Sequence, residues 1–512
     1  MPSRTEARNP WLFVPSAYFA EGLPYILINS VSVILYKNMG VSNAEIAFWT
    51  SWLYLPWVIK MLWGPMVDMY GTRRSWVIYT QLIMACCLAA AALSLSGERF
   101  FAISLLTFAV GAFISATHDI ATDGFYMLAL TRENQAFFVG IRSMFYRFAM
   151  IFGTGFLVFR AGKMQEAGAG AAASWGTMLT ISAAFFLALF IYHKFILPYP
   201  AEDVPKAKAG PGVILRSIVT LGGYLAAAGL LIWLFTSLHG VWQKLGAAAL
   251  LVTALVVICR KYLFPYLKFK MAEEGSSFNE AFISYFTQDG IGYIVAFILL
   301  YRLAEAMFLK LTQPFLLDAV NKGGLGIPTS EVGIIYGTTG MIALITGGVL
   351  GGWLISKYGF RRCLWPMVFA LNAPDVFYLY MAYAQPELQK VTLSLGWLAN
   401  LPLAGEWLAH AAGAGFQIPA GTIPLLVAVE QFGYGAGMTA FMVYLMMICR
   451  GKYKTAHFAI STGIMALGMM VPGMISGKLQ EALGYRHFFL AVCFLTIPGI
   501  LVIFKLPIKD EE

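Results

Sequence analysis

The sequence GPMVDMYGTRR, residues 64–74, occurs a second time in the chain as GWLISKYGFRR, residues 352–362. Both copies fit the pattern G-x-x-x-[D/S]-x-x-G-x-R-R, and they begin 288 residues apart. Each copy follows a long apolar run. Its glycines allow a helix to end in a tight turn, and its paired arginines suit a membrane–water interface. A parallel repeat of this length predicts two related halves, an arrangement found in transporters in which one half rocks against the other.

The composition is that of a protein that faces lipid. The 512 residues are 59% hydrophobic and 12% charged, and the mean hydropathy is +0.71. A soluble chain has roughly 25% charged residues, so we predict a polytopic membrane protein. The net charge of +9 therefore does not indicate nucleic acid binding. The six cysteines lack C-x-x-C spacing and indicate neither a disulfide framework nor a metal site.

Apolar runs of about 20 residues, the length that crosses ~30 Å of hydrocarbon, predict fourteen membrane helices. They lie near residues 11–36, 44–70, 75–96, 100–129, 136–160, 173–197, 213–237, 243–264, 290–318, 331–356, 363–384, 421–449, 455–480 and 487–506. The first run is too long for a cleavable signal and is predicted to be retained. Residues 385–420 are apolar but interrupted by proline and glycine, which predicts an ordered external loop with an interfacial helix as one option.

The basic residues of the loops set the predicted orientation. The inner loops and tails contain 21 Lys and Arg residues, and the outer loops contain 9. This asymmetry follows the positive-inside rule, so we expect both termini to be cytoplasmic. We predict three regions: a six-helix bundle in 1–200, a linker with an extra helix pair and a cytoplasmic connector in 201–288, and a second six-helix bundle in 289–512.

The loop at 64–74 resembles the signature loop of the major facilitator superfamily, through Gly64, Asp68, Gly71, Arg73 and Arg74. The resemblance implies the all-α major facilitator fold, here two six-helix bundles plus two extra central helices. Asp68 would pair with the arginines or cap a neighbouring helix; the second copy has Ser356 in place of this acid. In that superfamily the first and fourth helices of each half line a central cavity. Here those helices are the spans at 11–36, 100–129, 290–318 and 421–449.

Charged and polar side chains inside the spans are the candidate site residues. A charge at mid-bilayer costs roughly 2.5–3.5 kcal/mol on insertion scales, so such residues usually face the bundle interior. On the four predicted cavity helices they are Glu21, Asn29, His118, Asp119, Asp123, Arg302, Glu305, Lys310, Glu430, Gln431 and Tyr434. Elsewhere they are Lys60, Arg142, Arg147 and Asp375.

Two acids within THDIATDGFYM, residues 117–127, are the leading candidates for coupling transport to a proton. Asp119 and Asp123 are four residues apart and share one helix face. Two carboxylates this close in a low dielectric resist being ionised together unless a basic partner intervenes. Arg142 and Arg147 on the next helix are candidate partners. The alternative is a static buried ion pair that only locks two helices together.

The second half contains a similar set of candidates. Arg302 and Glu305 are three residues apart, and they either contact the substrate or neutralise one another. Glu430 precedes the glycine patch QFGYGAG, which would let either a ligand or a neighbouring helix approach the backbone.

Three segments resemble the AmpG-type muropeptide permeases and the related acetyl-CoA transporters. They are HDIATDGFYM at 118–127, FAEGLPYILINSVSVILY at 19–36 and VEQFGYGAGMTAFMVYLMMICRGKYKTAHFAI at 429–460. The resemblance implies proton-driven import of a cell-wall-derived sugar or muropeptide across a bacterial inner membrane. Asp119, Asp123 and Glu430 would be the family's acids. An anionic substrate would suit Arg142, Arg147 and Arg302. Exchange of another anionic metabolite, such as acetyl-CoA, is the alternative.

Other classes of protein fit the sequence less well. A membrane-embedded enzyme that binds metals through acids needs a D-G-x-x-A-R lead, which DGFYMLALTR lacks, and no H-E-x-x-H occurs. A sensor needs a sizeable soluble domain, whereas the polar segments here are short connectors. An ATP-driven pump needs a G-x-x-x-x-G-K-[ST] loop, which is absent from the sequence. We therefore predict a monomeric transporter that is not an enzyme and uses no cofactor, with an enzyme or a sensor as remote alternatives.

Overall fold

The structure is a computed structural model that describes residues 8–60, 67, 71–204, 283–384, 390–394, 417–449 and 454–507. The predicted extra helix pair at 213–264 lies outside the described residues, as do Gly64 and Asp68 of the signature loop. The described residues form two groups of helices, one from each side of that pair.

The first group begins with a broken first helix and contains nine helical segments. They are α1 Val14–Ile26, α2 Ser32–Asn38, α3 Asn43–Trp52, α4 Leu55–Ile59, α5 Arg73–Ser94, α6 Phe100–Ala129, α7 Arg132–Ile151, α8 Val158–Glu166 and α9 Ala171–Ile196. Two π-helical turns, Leu27–Val31 and Phe152–Leu157, join α1 to α2 and α7 to α8. Helix α1 packs against α6 and α7, and α5 packs against both α6 and α9.

The second group also consists of helices and contains eight helical segments. They are α10 Ile291–Tyr301, α11 Leu303–Leu317, α12 Thr329–Ile334, α13 Met341–Tyr358, α14 Phe360–Asn372, α15 Asp375–Ala384, α16 Thr422–Met447 and α17 Lys454–Ile503. Helix α17 bends at Gly484, whose φ of 71° is left-handed, so it comprises two consecutive helices. Helix α16 packs against α13 and α14, and α17 packs against α10 and α11.

Seven helices of the described ranges are long and apolar enough to cross a membrane. They cover Pro10–Asn38, Arg73–Ser94, Phe100–Ala129, Gly140–Glu166, Ala171–Ile196, Thr329–Tyr358 and Ile460–Ile503. The surface of these helices is apolar: Leu93 is 83% exposed and Val349 is 69% exposed. Burying such side chains in lipid gains about 25 cal/mol per Å² relative to water, so the helix exteriors are lipid-facing surfaces. The predicted number of fourteen spans stays a prediction.

The repeated loops share a positive φ at one glycine where both are described. Gly71 and Gly359 occupy equivalent positions 288 residues apart, and their φ angles are 74° and 80°. Both angles are in the left-handed region that glycine adopts without strain. Each glycine stands just before a helix, α5 in the first half and α14 in the second.

In the region predicted as an external loop, 385–420, the described residues form β-structure. Lys390–Ser394 forms β1 and Gln417–Gly421 forms β2, and they pair antiparallel with Lys390 opposite Gly421. Residues 395–416, between the strands, lie outside the described residues, as does the predicted option of an interfacial helix there.

The two groups of helices touch closely at one end of the bundle. Glycine backbones make this contact: a Cβ at Gly337 would overlap the backbone of Thr154, and one at Gly162 would overlap the backbone of Ser330. Helix α3 packs against α17, where a Cβ at Gly477 would overlap the backbone of Asn43. This end carries the C-termini of α2 and α8, so the space between the halves is closed there.

The close glycine contact predicts that Gly337→Ala holds the halves apart at the closed end. The added Cβ meets the Thr154 backbone, and overpacking of this kind costs about 1–3 kcal/mol. Asn38 and Thr329, whose side chains hydrogen-bond across the seam at 3.2 Å, would both be replaced by cysteine after the native cysteines are removed. Disulfide formation between them should fall in Gly337→Ala.

Gly292→Ala is the matched control, since a Cβ at that position meets no atom within 4 Å. Equal disulfide yields in both alanine variants would contradict the proposed tight seam.

Candidate substrate cavity

A cavity lies between the two groups of helices and consists of two connected chambers. The outer chamber has a volume of about 720 Å³ and the inner chamber about 290 Å³. Met150, Leu344, Tyr434 and Met438 line both, so the chambers are continuous. The outer chamber is lined by side chains from the first half of α1, the end of α6, the second half of α7, the first half of α13 and the second half of α16. It therefore lies toward the end of the bundle opposite the glycine seam.

Asp119 lies in the first half and forms an ion pair with Lys60. Its side chain is 14% exposed. Glu21 is 9% exposed and interacts electrostatically with Asp119, and its Oε2 has no hydrogen-bond partner among the described residues. Neither of the arginines proposed as partners binds Asp119. Sequence reasoning overlooked Lys60 in this role because periodicity alone does not show which neighbouring helix faces the acid.

Asp123 faces the outer chamber and is held by two neighbours. The Tyr18 hydroxyl donates a hydrogen bond to its Oδ1 at 2.8 Å, and Arg142 Nη1 forms an ion pair with the same oxygen at 3.0 Å. Arg142 Nη1 also donates to the Tyr18 hydroxyl oxygen at 2.9 Å. The Asp123 side chain is 49% exposed and that of Arg142 is 32% exposed. The two acids of one helix face thus have different partners and different access to the cavity.

Arg147 also lines the outer chamber, about one and a half turns after Arg142 on α7. Within the described ranges it has neither a hydrogen bond nor an acidic partner. Its neighbour Tyr146 also lines the chamber. A cation left without an anion in a membrane-embedded cavity is a ready binding group for an anionic ligand.

Arg302 and Glu305 form the buried pair that their spacing predicts, with Nη1 and Oε1 3.3 Å apart. Their side chains are 4% and 9% exposed. The guanidinium also packs against the sulfur atoms of Met438 and Met469, and it lies 5.8 Å from the centre of the Tyr434 ring. Arg302 lines the inner chamber, but its charge is already neutralised by Glu305.

Glu430 is 3% exposed and lines neither chamber. Its Oε2 accepts a hydrogen bond from Gln431 Nε2 at 3.0 Å, and Gln431 lines the inner chamber. The glycine patch after it packs against other helices: a Cβ at Gly433 would overlap the Ala370 backbone, and one at Gly435 the Leu344 backbone. These glycines therefore pack closely against other helices, and Gly435 also lines the outer chamber.

An aromatic wall lines the boundary between the chambers on the first-half side. The Tyr25 ring lies 5.2 Å from Trp57, 6.1 Å from Tyr54 and 6.4 Å from Tyr146, measured between centroids. The Tyr25 and Tyr54 hydroxyls hydrogen-bond at 3.0 Å. Aromatic residues are abundant throughout the sequence, so nothing in the chain's pattern distinguishes these four from lipid-facing rings.

Comparison with known proteins shows which class of protein the chain resembles. No protein-family model matches the chain. The chain is 23% identical over 493 residues to the anhydromuropeptide permease of Escherichia coli (strain K12), covering 95% of this chain and 77% of the relative. It is 20% identical over 494 residues to a transporter named AmpG 4 from Rickettsia felis, covering 95% and 94%.

Solved structures with the same arrangement of helices are also transporters. The peptide transporter POT in complex with sulfate has a TM-score of 0.62 at 13% identity, covering 98% of this chain and 96% of that one. A bacterial homologue of the human lysosomal transporter Spinster, in an inward-facing and unoccupied conformation, has a TM-score of 0.57 at 14% identity, covering 96% and 95%.

The chain is a membrane transporter with the major facilitator fold. The predicted resemblance to AmpG-type permeases and the prediction that the protein is not an enzyme are confirmed. Within the ranges that the structure describes, no group of three or more His, Cys, Asp or Glu residues could hold a metal ion.

His118 of this transporter points away from the cavity, although it precedes Asp119 in the chain. It belongs to a buried hydrogen-bond chain in which Gln81 lies between two histidines: His118 Nε2 at 3.1 Å from Gln81 Nε2, and His193 Nδ1 at 2.9 Å from Gln81 Oε1. The chain continues to Thr122 at one end and Ser16 at the other. These contacts join α6 to α5 and α9.

The transporter also has a polar cluster at its closed end, formed by Lys37, Asn43, Asp318, Gln480 and Tyr485. Lys37 Nζ and Asp318 Oδ1 form an ion pair at 2.7 Å between the two halves. The Tyr485 hydroxyl donates to Asp318 Oδ2 at 2.6 Å, and Asn43 Nδ2 donates to Gln480 Oε1 at 2.8 Å. Sequence reasoning missed this closed-end cluster because its members stand at span ends, where polar residues are common.

The signature loop is described from Gly71 onward. Thr72 caps α5, and the backbone N–H groups of Arg73 and Arg74 donate to the Asp203 carboxylate at 2.7 and 2.9 Å. Arg74 Nη2 donates to the Lys194 carbonyl oxygen at 2.6 Å. An acid beyond α9 therefore caps the helix that follows the loop, and the loop ties the end of α9 to the start of α5.

The Lys60–Asp119 pair predicts strong non-additivity between two substitutions. Lys60→Met leaves the enclosed Asp119 carboxylate without its cation, which typically costs 3–5 kcal/mol. Asp119→Asn should cost less, because the Lys60 side chain that it leaves unpaired is 40% exposed. The double variant removes both charges, so its loss of stability should be smaller than the sum of the two single losses. Thermal unfolding of the four purified proteins in detergent measures the coupling.

Lys163 and Glu166 serve as the control pair, because their side chains are 42% and 39% exposed. The same cycle there should give under 1 kcal/mol. Additive effects at Lys60 and Asp119 would contradict a direct buried pair.

Proposed function

We propose that this transporter is a proton symporter that imports a cell-wall-derived sugar or muropeptide across a bacterial inner membrane. The chain begins and ends on the cytoplasmic side in this proposal, as the loop charges favour. The outer chamber then opens to the cytoplasm, and the closed-end cluster faces outward. The outer chamber's volume of about 720 Å³ is within the range of about 300–1,000 Å³ common for small-molecule sites.

The observation that carries the proposal is the shared hydrogen bonding of Asp123, Tyr18 and Arg142 at the cavity wall. An incoming substrate carboxylate can form the bidentate contact that guanidinium favours, and it competes with Asp123 for Arg142. An acid that loses its cation inside a membrane is costly to keep charged, and a proton can take the cation's place. Substrate binding and proton binding are thereby linked at one pair of side chains.

Arg147 and the aromatic wall support an anionic sugar-containing substrate. Arg147 supplies a cation that no described acid neutralises. Tyr25, Tyr54 and Tyr146 supply flat apolar faces with hydroxyl groups at their edges, which suit a sugar ring. The relatives named anhydromuropeptide permease and AmpG agree with this class of substrate.

Neutralising either acid of the fourth span should uncouple transport. In proteoliposomes with an inward proton gradient, Asp119→Asn and Asp123→Asn are expected to reduce accumulation of a radiolabelled anhydromuropeptide to the level of an uncoupler-treated sample. Exchange of labelled for unlabelled substrate should persist, because it needs no net proton movement. Uptake is measured by filtration.

Glu98→Gln is the control for loss of an acid, since Glu98 is exposed between α5 and α6. Full accumulation by both aspartate variants would eliminate proton coupling through this helix. Uptake of acyl-CoA in place of the muropeptide by the wild type would favour the other substrate class.

Removing the charge of Arg147 should weaken the binding of anionic substrates more than the binding of neutral ones. A hydrogen bond to a charged group contributes about 1.5–3 kcal/mol, so Arg147→Gln should lower the affinity for an acidic muropeptide by roughly 10- to 150-fold. Its affinity for a neutral amino sugar should be nearly unchanged. Binding to purified protein is measured by scintillation proximity.

Arg160→Gln makes the same change at an exposed position of α8 that does not line the cavity, and it should match the wild type. An equal loss for acidic and neutral ligands in Arg147→Gln would assign this arginine a structural role instead.

A further inference from the structure

The inner chamber contains a lysine that has no carboxylate partner among the described residues. Lys310 on α11 lines this chamber. Its ammonium donates a hydrogen bond to Thr50 Oγ1 on α3 at 3.1 Å, a contact between the two halves. No described acid lies within ion-pair distance of it.

Three other cations near the cavity differ from Lys310 because each has a carboxylate partner. Lys60 has Asp119, Arg142 has Asp123, and Arg302 has Glu305. An isolated ammonium in a membrane interior is costly, and a paired one much less so. The stem of Lys310 packs against Gly473 of α17, where an added Cβ would lie 3.4 Å from Lys310 Cγ. The charge is thus held in the chamber rather than free to leave it.

We propose that Lys310 is the binding subsite for a carboxylate that the substrate carries into the inner chamber. The proposal rests on the function proposed above and adds which end of the substrate enters first. A single compact ammonium suits a monoanion, whereas phosphate dianions generally draw several cations or a forked guanidinium. The neighbouring Ser51 hydroxyl also lines the chamber, but it donates to the Ala47 carbonyl oxygen at 2.7 Å. The ammonium of Lys310 is therefore the group that would donate to a carboxylate here.

The position of the subsite defines the orientation of the bound substrate in the cavity. Arg147 belongs to the outer chamber and Lys310 to the inner one, with the aromatic wall between them. A sugar–peptide can place its ring on the tyrosines and its peptide carboxylate on Lys310. Lys310 is itself hydrogen-bonded to Thr50 of the opposite half, so a carboxylate bound to Lys310 would lie next to a contact between the two halves.

The test uses three probes with the full-length protein in detergent. The first is an anhydromuropeptide with a free terminal carboxylate, the second is the same molecule with that carboxylate converted to a primary amide, and the third is the sugar acid without its peptide. The wild type is expected to bind the first at least tenfold more tightly than the second. Lys310→Met should abolish that difference, and Lys310→Arg should retain most of it.

The controls separate a subsite from a structural contact. Lys357→Met, at an exposed helix end, should behave as the wild type. Thr50→Val removes the contact between the halves but keeps the ammonium, and it should preserve the preference for the carboxylate. A loss of binding to the sugar acid in Lys310→Met would identify the ring-side acid as the group bound; a loss confined to the sugar–peptide would identify the peptide carboxylate.

Three outcomes would overturn the subsite. If the wild type binds the free acid and the amide equally, the subsite is wrong while the proposed function stands. If Lys310→Met and Thr50→Val weaken both of these probes equally, Lys310 only bridges the halves. If the wild type binds none of the three probes, the proposed function itself fails, and the subsite fails with it.

Discussion

A charge inside a membrane is costly to leave unpaired, and the cavity of this transporter is organised by that constraint. Two of the ion pairs near the cavity also connect helices that are distant in the sequence. Asp119 on α6 is tied to Lys60 just after α4, and Asp123 joins α6 to α7 and, through Tyr18, to α1. The pairs therefore set the relative positions of the cavity helices. A change in any one partner alters both a charge and a packing contact.

The shape of the cavity follows from where backbones approach one another. Glycines at the seam bring α8 and α12 into contact at one end, with the π-helical turns Phe152–Leu157 and Ile335–Gly340 against each other. The closed-end cluster adds an ion pair between Lys37 and Asp318. With that end closed, the space between the halves is widest at the opposite end. Opening the closed end would require these contacts to separate together, since they share the same pair of surfaces.

The sequence was sufficient for features that depend on composition and on local periodicity. The repeated glycine–arginine loops predicted two related halves, and Gly71 and Gly359 do share a left-handed conformation. Features that depend on neighbouring helices could not be read in the same way. His118 and Asp119 are adjacent, yet successive helical residues point about 100° apart, so one meets Gln81 and the other meets Lys60. The chain contains no local signal for either partner.

The two acids of α6 are held in ways that suit different tasks. Lys60 and Asp119 form a pair in which the acid is largely enclosed, and breaking it would leave a buried charge. Asp123 and Arg142 are half open to the chamber, so a ligand can reach both and replace one by the other. An exchangeable pair next to a fixed one lets the cavity respond to a substrate without losing the arrangement of its helices. Under the proposed function, Asp123 is therefore the acid that a substrate reaches directly, and Asp119 takes part in coupling through its pair with Lys60.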